Sequence, residues 1–127
     1  MNRDGFYPHT FAYPFGSHNE FLDQELCKIF KSVRALNGSN NYSKSFTRGV
    51  CNKVLYAIGI DNERRTLGKL EYLIDCAARN NNCLVLVGHQ IEKPGAPYQI
   101  AYEKLKALLQ KAKSLNMRYY TISEISQ

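Results

Sequence analysis

The stretch HTFAYPFGSHNE, His9 to Glu20, sets aromatic residues on both sides of a proline, adds a glycine and ends on a helix-starting signal. The residue before a proline is held extended, Pro14 lacks a backbone donor, and Gly16 tolerates a turn that other residues resist. A strand reaching Tyr13 is therefore predicted to stop abruptly at Pro14, Phe15 and Gly16. Ser17 stands three residues before Glu20, the spacing of a capping box, and Phe21, Leu22, Leu26, Ile29 and Phe30 follow at helical spacing. The stretch reads as strand, sharp turn and helix. Taken alone, it describes an ordinary βα connection.

The remainder repeats that alternation. Ser32 to Leu36 (SVRAL) alternates like a short strand, and NGSNNYSKSFTRG is a polar, glycine-bearing loop. KVLYAIGI and CLVLVGH are nearly continuous apolar runs, the pattern of strands covered on both faces. Between them Leu67, Leu70, Leu73, Ile74 and Ala77 mark an amphipathic helix that ends before Asn80, Asn81 and Asn82. A loop with Pro94, Gly95 and Pro97 leads to a helix bearing Ala101, Leu105, Leu108, Leu109, Ala112 and Leu115 on one face. Asn116 is its expected left-handed stop, and MRYYTI is expected as a closing strand. Strands joined by helices over short links imply an α/β chain with a parallel sheet. Ligands of such sheets sit at the carboxyl ends of strands, where Phe15 and His89 are expected.

Bulk properties narrow the function. A chain of 127 residues holds at most one domain, and no apolar run is long enough to cross a bilayer, so no membrane partner is expected. The net charge is +6, yet Lys28, Lys31, Arg34, Arg64, Arg65, Lys104, Lys106, Lys111 and Lys113 are scattered, which argues against nucleic acid. Cys27, Cys51, Cys76 and Cys83 have no metal-binding spacing and read as buried thiols. The opening MNRDGFYPHT has no apolar signal core.

FAYPFGSHNE resembles the third motif of the polysaccharide deacetylases (carbohydrate esterase family four), usually an aromatic, Arg, any residue, Pro, Tyr and Gly. LVLVGHQI resembles the fifth, alternating apolar residues that end in His. LYAIGIDN and YYTISEI are similar to the branch whose third motif reads Phe-Ala-Tyr-Pro-Tyr-Gly, so the resemblance runs from about Gly5 to Ile125. It implies a distorted (β/α) barrel that removes acetyl groups from N-acetylglucosamine polymers or O-acetylated sugars with a divalent metal, zinc above others. In the family an Asp and two His of the first two motifs hold the metal, and a second Asp is the base. Those motifs precede the third, so residues 1–127 are expected to form one partial barrel of about five strands and three helices, without its N-terminal half. No metal ligand is expected in this chain, because His9, His18 and His89 lack the family spacing.

By resemblance His89 is the general acid and the Phe15 backbone N–H faces the oxyanion, while Tyr13, Pro14, Gly16 and Tyr98 bind substrate. Ala12 stands where many relatives carry an Arg, Phe15 replaces the usual Tyr, and without any Trp the fourth motif is not recognisable. The expected partners are an acetylated polysaccharide or oligosaccharide and either the missing half or a second copy, with Tyr56, Ile58, Val85 and Val87 near the contact. A non-catalytic sugar-binding or degenerate module, lined by Tyr13, Phe15, Tyr98 and Tyr102, is the alternative.

Overall fold

A computed structural model describes residues 5, 7–39, 41–47, 54–92 and 97–126. Cys51, Pro94 and Gly95 lie outside the described residues, as does half of the opening decapeptide. The elements run β1 (Thr10–Ala12), α1 (Glu20–Ile29), β2 (Ser32–Leu36), β3 (Phe46–Thr47), β4 (Val54–Gly59), α2 (Leu67–Arg79), β5 (Cys83–Leu84), β6 (Leu86–Val87), β7 (Gln90–Glu92), β8 (Gln99–Ala101), α3 (Tyr102–Ser114) and α4 (Ile122–Ile125). Four strands form a parallel sheet in the order β1-β2-β4-β6, curled into a half-barrel. Two smaller pairs, antiparallel β3-β5 and parallel β7-β8, flank it. Among the described residues no helix is long and apolar enough to cross a membrane.

Two apolar clusters hold the layers together. Ile58 and Ile60, at the end of β4, pack with Leu70, Leu73 and Ile74 of α2, Ile100 and Leu108. Each such side chain contributes about 1.5–3 kcal/mol on burial, so the stripe predicted for α2 is what fixes this helix. Val33 and Ala35 of β2 pack with Tyr13 and Phe30, joined by Phe11, Leu26 and Cys27. α3 stops at Asn116 with φ 54°, as its sequence predicts.

Five readings need correction. The cap of α1 is Asn19, whose Oδ1 accepts from the Leu22 N–H at 2.8 Å, because the turn keeps the Ser17 N–H on the Pro14 carbonyl. Phe21, Leu22 and Ile29 are exposed: α1 packs on β2 through Leu26 and Cys27, and among the described residues no further helix packs on its outer side. CLVLVGH is not one buried strand but two short ones, β5 pairing with β3 and β6 with β4, and Leu86 borders a cavity of about 300 Å³ beside α3. MRYYTI forms no strand, since the Met117 N–H donates to the Ala112 carbonyl and the Tyr119 hydroxyl to the Leu109 carbonyl, holding the segment on α3. Ile58 is likewise sealed under α2 and α3, which removes it from any contact between copies.

The Pro14–Gly16 turn depends on Gly16. Its φ is +70°, and a Cβ there would stand 2.3 Å from Leu36 Cγ and 2.5 Å from Leu36 Cβ. Gly16→Ala is expected to destabilise the chain by about 2–5 kcal/mol, through backbone strain and overpacking. The urea midpoint should fall accordingly, and an unchanged midpoint would show that the turn is not held as described.

Candidate functional site

The strand ends of the curled sheet converge on a cleft of about 270 Å³. Phe15 and Gly16 follow β1, Asn37 follows β2, Asp61 follows β4 and His89 follows β6; all line this cleft. The turn after β1 is anchored by the Tyr13 N–H on the Arg34 carbonyl at 3.0 Å and by the Gly16 N–H on the Tyr13 carbonyl at 2.9 Å. Phe15 has φ 56° and ψ 7°, a left-handed conformation that a residue with a Cβ adopts only at some cost. The ring is 99% exposed at the cleft rim. Among the described residues the Phe15 N–H makes no hydrogen bond, so it remains a donor for a ligand.

His89 does not stand alone. Its Nδ1 lies 2.7 Å from Asp61 Oδ2, and its backbone N–H donates to Asp61 Oδ1 at 3.2 Å. The Asp61 side chain is 3% exposed and that of His89 53%. An ionised carboxylate only accepts, so the bond assigns the proton to Nδ1 and leaves Nε2 as the bare nitrogen of the neutral ring. Tyr98, with φ 57°, brings its ring to 5.6 Å from the imidazole.

Two cations brace this arrangement from behind. Arg65 donates from Nη1 to the Gly59 carbonyl, from Nη2 to the Asn37 carbonyl and from Nε to the Tyr42 hydroxyl, which ties the ends of β2 and β4 together. Lys104 donates from Nζ to the Asp61 carbonyl at 3.1 Å and the Arg65 carbonyl at 2.7 Å. Burial pushes the Lys104 pKa down, against the opposing pull of Asp61.

Phe15, Gly16 and His89 thus share one cleft, and Tyr98 adjoins His89. Pro14 shapes the turn without lining the cleft. Tyr13 is 4% exposed, packed edge-on to Phe11, with its hydroxyl donating to Asp23 Oδ1 at 2.7 Å. Its ring therefore offers no face for a sugar; local packing beside its proline is its role. Asp23 also holds His18, whose Nδ1 lies 2.9 Å from Oδ2. His9, ahead of β1, lies at the amino end of that strand and His89 beyond the carboxyl end of β6, so the three histidines do not gather. Among the described residues no three His, Cys, Asp or Glu side chains are placed to hold a metal, so the residues present do not fit one.

The residue that sequence reading passed over is Asp61. The signal was present: an acidic residue in GIDN, directly after an apolar strand, has no place in a core unless a donor meets it. Of the cysteines, Cys83 is half-buried, and burial raises its pKa, as expected of an unreactive thiol. Comparison with models of known protein families, with curated proteins and with solved structures finds no match.

Tyr13 gives a test of the packing around the turn. Burial, and then its bond to Asp23, hold the phenol well above the ordinary tyrosine pKa. The folded state thus binds the phenol proton more tightly than the unfolded chain, so this contribution to stability is intact below about pH 10, declines from there, and is lost as pH rises through the higher folded-state value. Stability curves from pH 8 to 12 should show this alkaline decline in the native chain and a shallower one in Tyr13→Phe. Identical slopes would place Tyr13 in water.

Proposed function

We propose that this chain is the C-terminal part of a polysaccharide deacetylase-type domain that, when complete, hydrolyses acetyl groups from N- or O-acetylated sugars. The observation that carries the reading is the His89–Asp61 pair, set at the carboxyl end of the sheet across one cleft from the Phe15 turn. In this reading Asp61 is a positioning residue. It holds the imbalance of charge when His89 is protonated and keeps Nε2 directed away from the sheet, so that Nε2 delivers a proton to the departing amine or alkoxide as the tetrahedral adduct collapses. The unpartnered Phe15 N–H suits the developing oxyanion, a role that needs no phenol and so tolerates Phe for Tyr.

Residues outside the described chain would have to supply the base and the divalent metal that the family resemblance implies. Carbohydrate binding without catalysis is the second reading, supported by Phe15 and Tyr98, both exposed beside the cleft. The two readings part in an acetate-release assay on acetylated chitin oligosaccharides. The 127-residue chain alone is expected to release none. Combined with a metal-binding N-terminal half, it should become active, and His89→Ala should then lower kcat by about 10²–10⁴-fold. Chelator-sensitive, His89-dependent release by the chain alone would contradict the missing-half reading, and His89-independent release by the combined domain would remove His89 from the mechanism.

A further inference from the structure

Three cations stand at or behind the cleft, and two are committed. Arg65 spends its guanidinium on two backbone carbonyls and a phenol, and Lys104 spends its ammonium on two carbonyls. Arg64 is different. Among the described residues no carboxylate pairs with it, and its guanidinium meets only the Tyr98 ring, 5.7 Å from the ring centre. Its stem runs over Gly59, where a Cβ would already touch Arg64 Cγ at 3.4 Å. The head group stands over the Tyr98 ring beside His89 with its donors uncommitted, and a guanidinium free in this way can meet a planar anion through paired bonds.

We propose that Arg64 is a specificity residue that reads a carboxylate on the sugar, so that the cleft prefers an acidic acetylated saccharide to a neutral one. The proposal rests on the carbohydrate reading above and names the substrate class of that same site. The charge distribution sets the side on which the anion sits. The cleft is lined by Arg64, Arg65 and His89 against the single Asp61, whereas the adjoining side pocket beneath Tyr98 also carries Glu63. An anion is accordingly drawn to the cleft side. The net charge of +6 adds long-range attraction for an acidic chain.

The test is a calorimetric titration of the full chain with a hyaluronan tetrasaccharide, alternating glucuronic acid and N-acetylglucosamine, and with chitotetraose, its neutral counterpart. The acidic sugar should bind about three- to tenfold more tightly at low salt, the range of one exposed charge-assisted contact, and the advantage should shrink as salt rises. Arg64→Gln should bring the two affinities together, while Arg64→Lys, which keeps the charge without the fork, should keep part of the difference. Equal affinities in the native chain, or a preference that survives Arg64→Gln, would overturn the role of Arg64 and leave the carbohydrate reading standing. Binding of neither sugar would overturn the carbohydrate reading and the proposal with it.

Discussion

A carboxylate taken out of water must be met by donors, and around Asp61 that requirement organises much of the molecule. Its two oxygens face the imidazole and the backbone N–H of His89, so the end of β4 and the residues after β6 are locked to one another. Its carbonyl takes the Lys104 ammonium from α3 and the Arg64 N–H. The next residue continues the stitching: the Asn62 N–H donates to the Gln99 carbonyl, and Asn62 Oδ1 accepts from the Ala101 N–H, which fixes β8 and the start of α3. A single Asp-Asn pair therefore joins the sheet to the β8–α3 unit. The site and the fold share these bonds, and the residue that orients the candidate acid also holds the layers in register.

The sheet itself is open. β1 and β6 form its two edges, and α1, packed on β2, turns Phe21, Leu22 and Ile29 outward. A closed barrel would cover both features with neighbouring strands and a helix, and this is the physical content of the half-barrel description. The apolar stripe of α1 is wider than its contact with β2 buries, and its sequence carries that width without any indication of what lies beside it.

Much of this was legible in the residues. The abrupt stop at Tyr-Pro-Phe-Gly, the stripe of α2 and the left-handed Asn116 follow from local steric and periodic rules that tertiary context did not override; of the stripe expected on α3, Leu108 is buried, but Leu109 is exposed and Ala101 ends β8 before the helix begins. What failed was decided by packing or by competition between equal signals. Ser17 and Asn19 both suit an N-cap, and the turn geometry chose Asn19. At the other end Thr121 and Glu124 form a true capping box, with the Thr121 N–H on Glu124 Oε2 and the Glu124 N–H on Thr121 Oγ1. The short α4 replaces the end of the expected strand. Ser126 then meets Ser32 at 2.6 Å, a contact spanning nearly the whole chain that no local pattern encodes. In the site, His89 was legible as a histidine ending an apolar run. Its partner was not, because nothing in the sequence sets Asp61 beside it until β4 and β6 pair in register.

The central claim is that Asp61 fixes the tautomer and orientation of His89. Nitrogen-15 NMR of the imidazole reads this directly, since protonated and unprotonated ring nitrogens differ widely in shift. In the native chain with the ring neutral, Nδ1 should carry the proton and Nε2 should be bare, and Asp61→Asn should shift or average that assignment. A neutral His89 protonated on Nε2, or a ring whose nitrogen shifts are the same with and without the Asp61 carboxylate, would contradict the account.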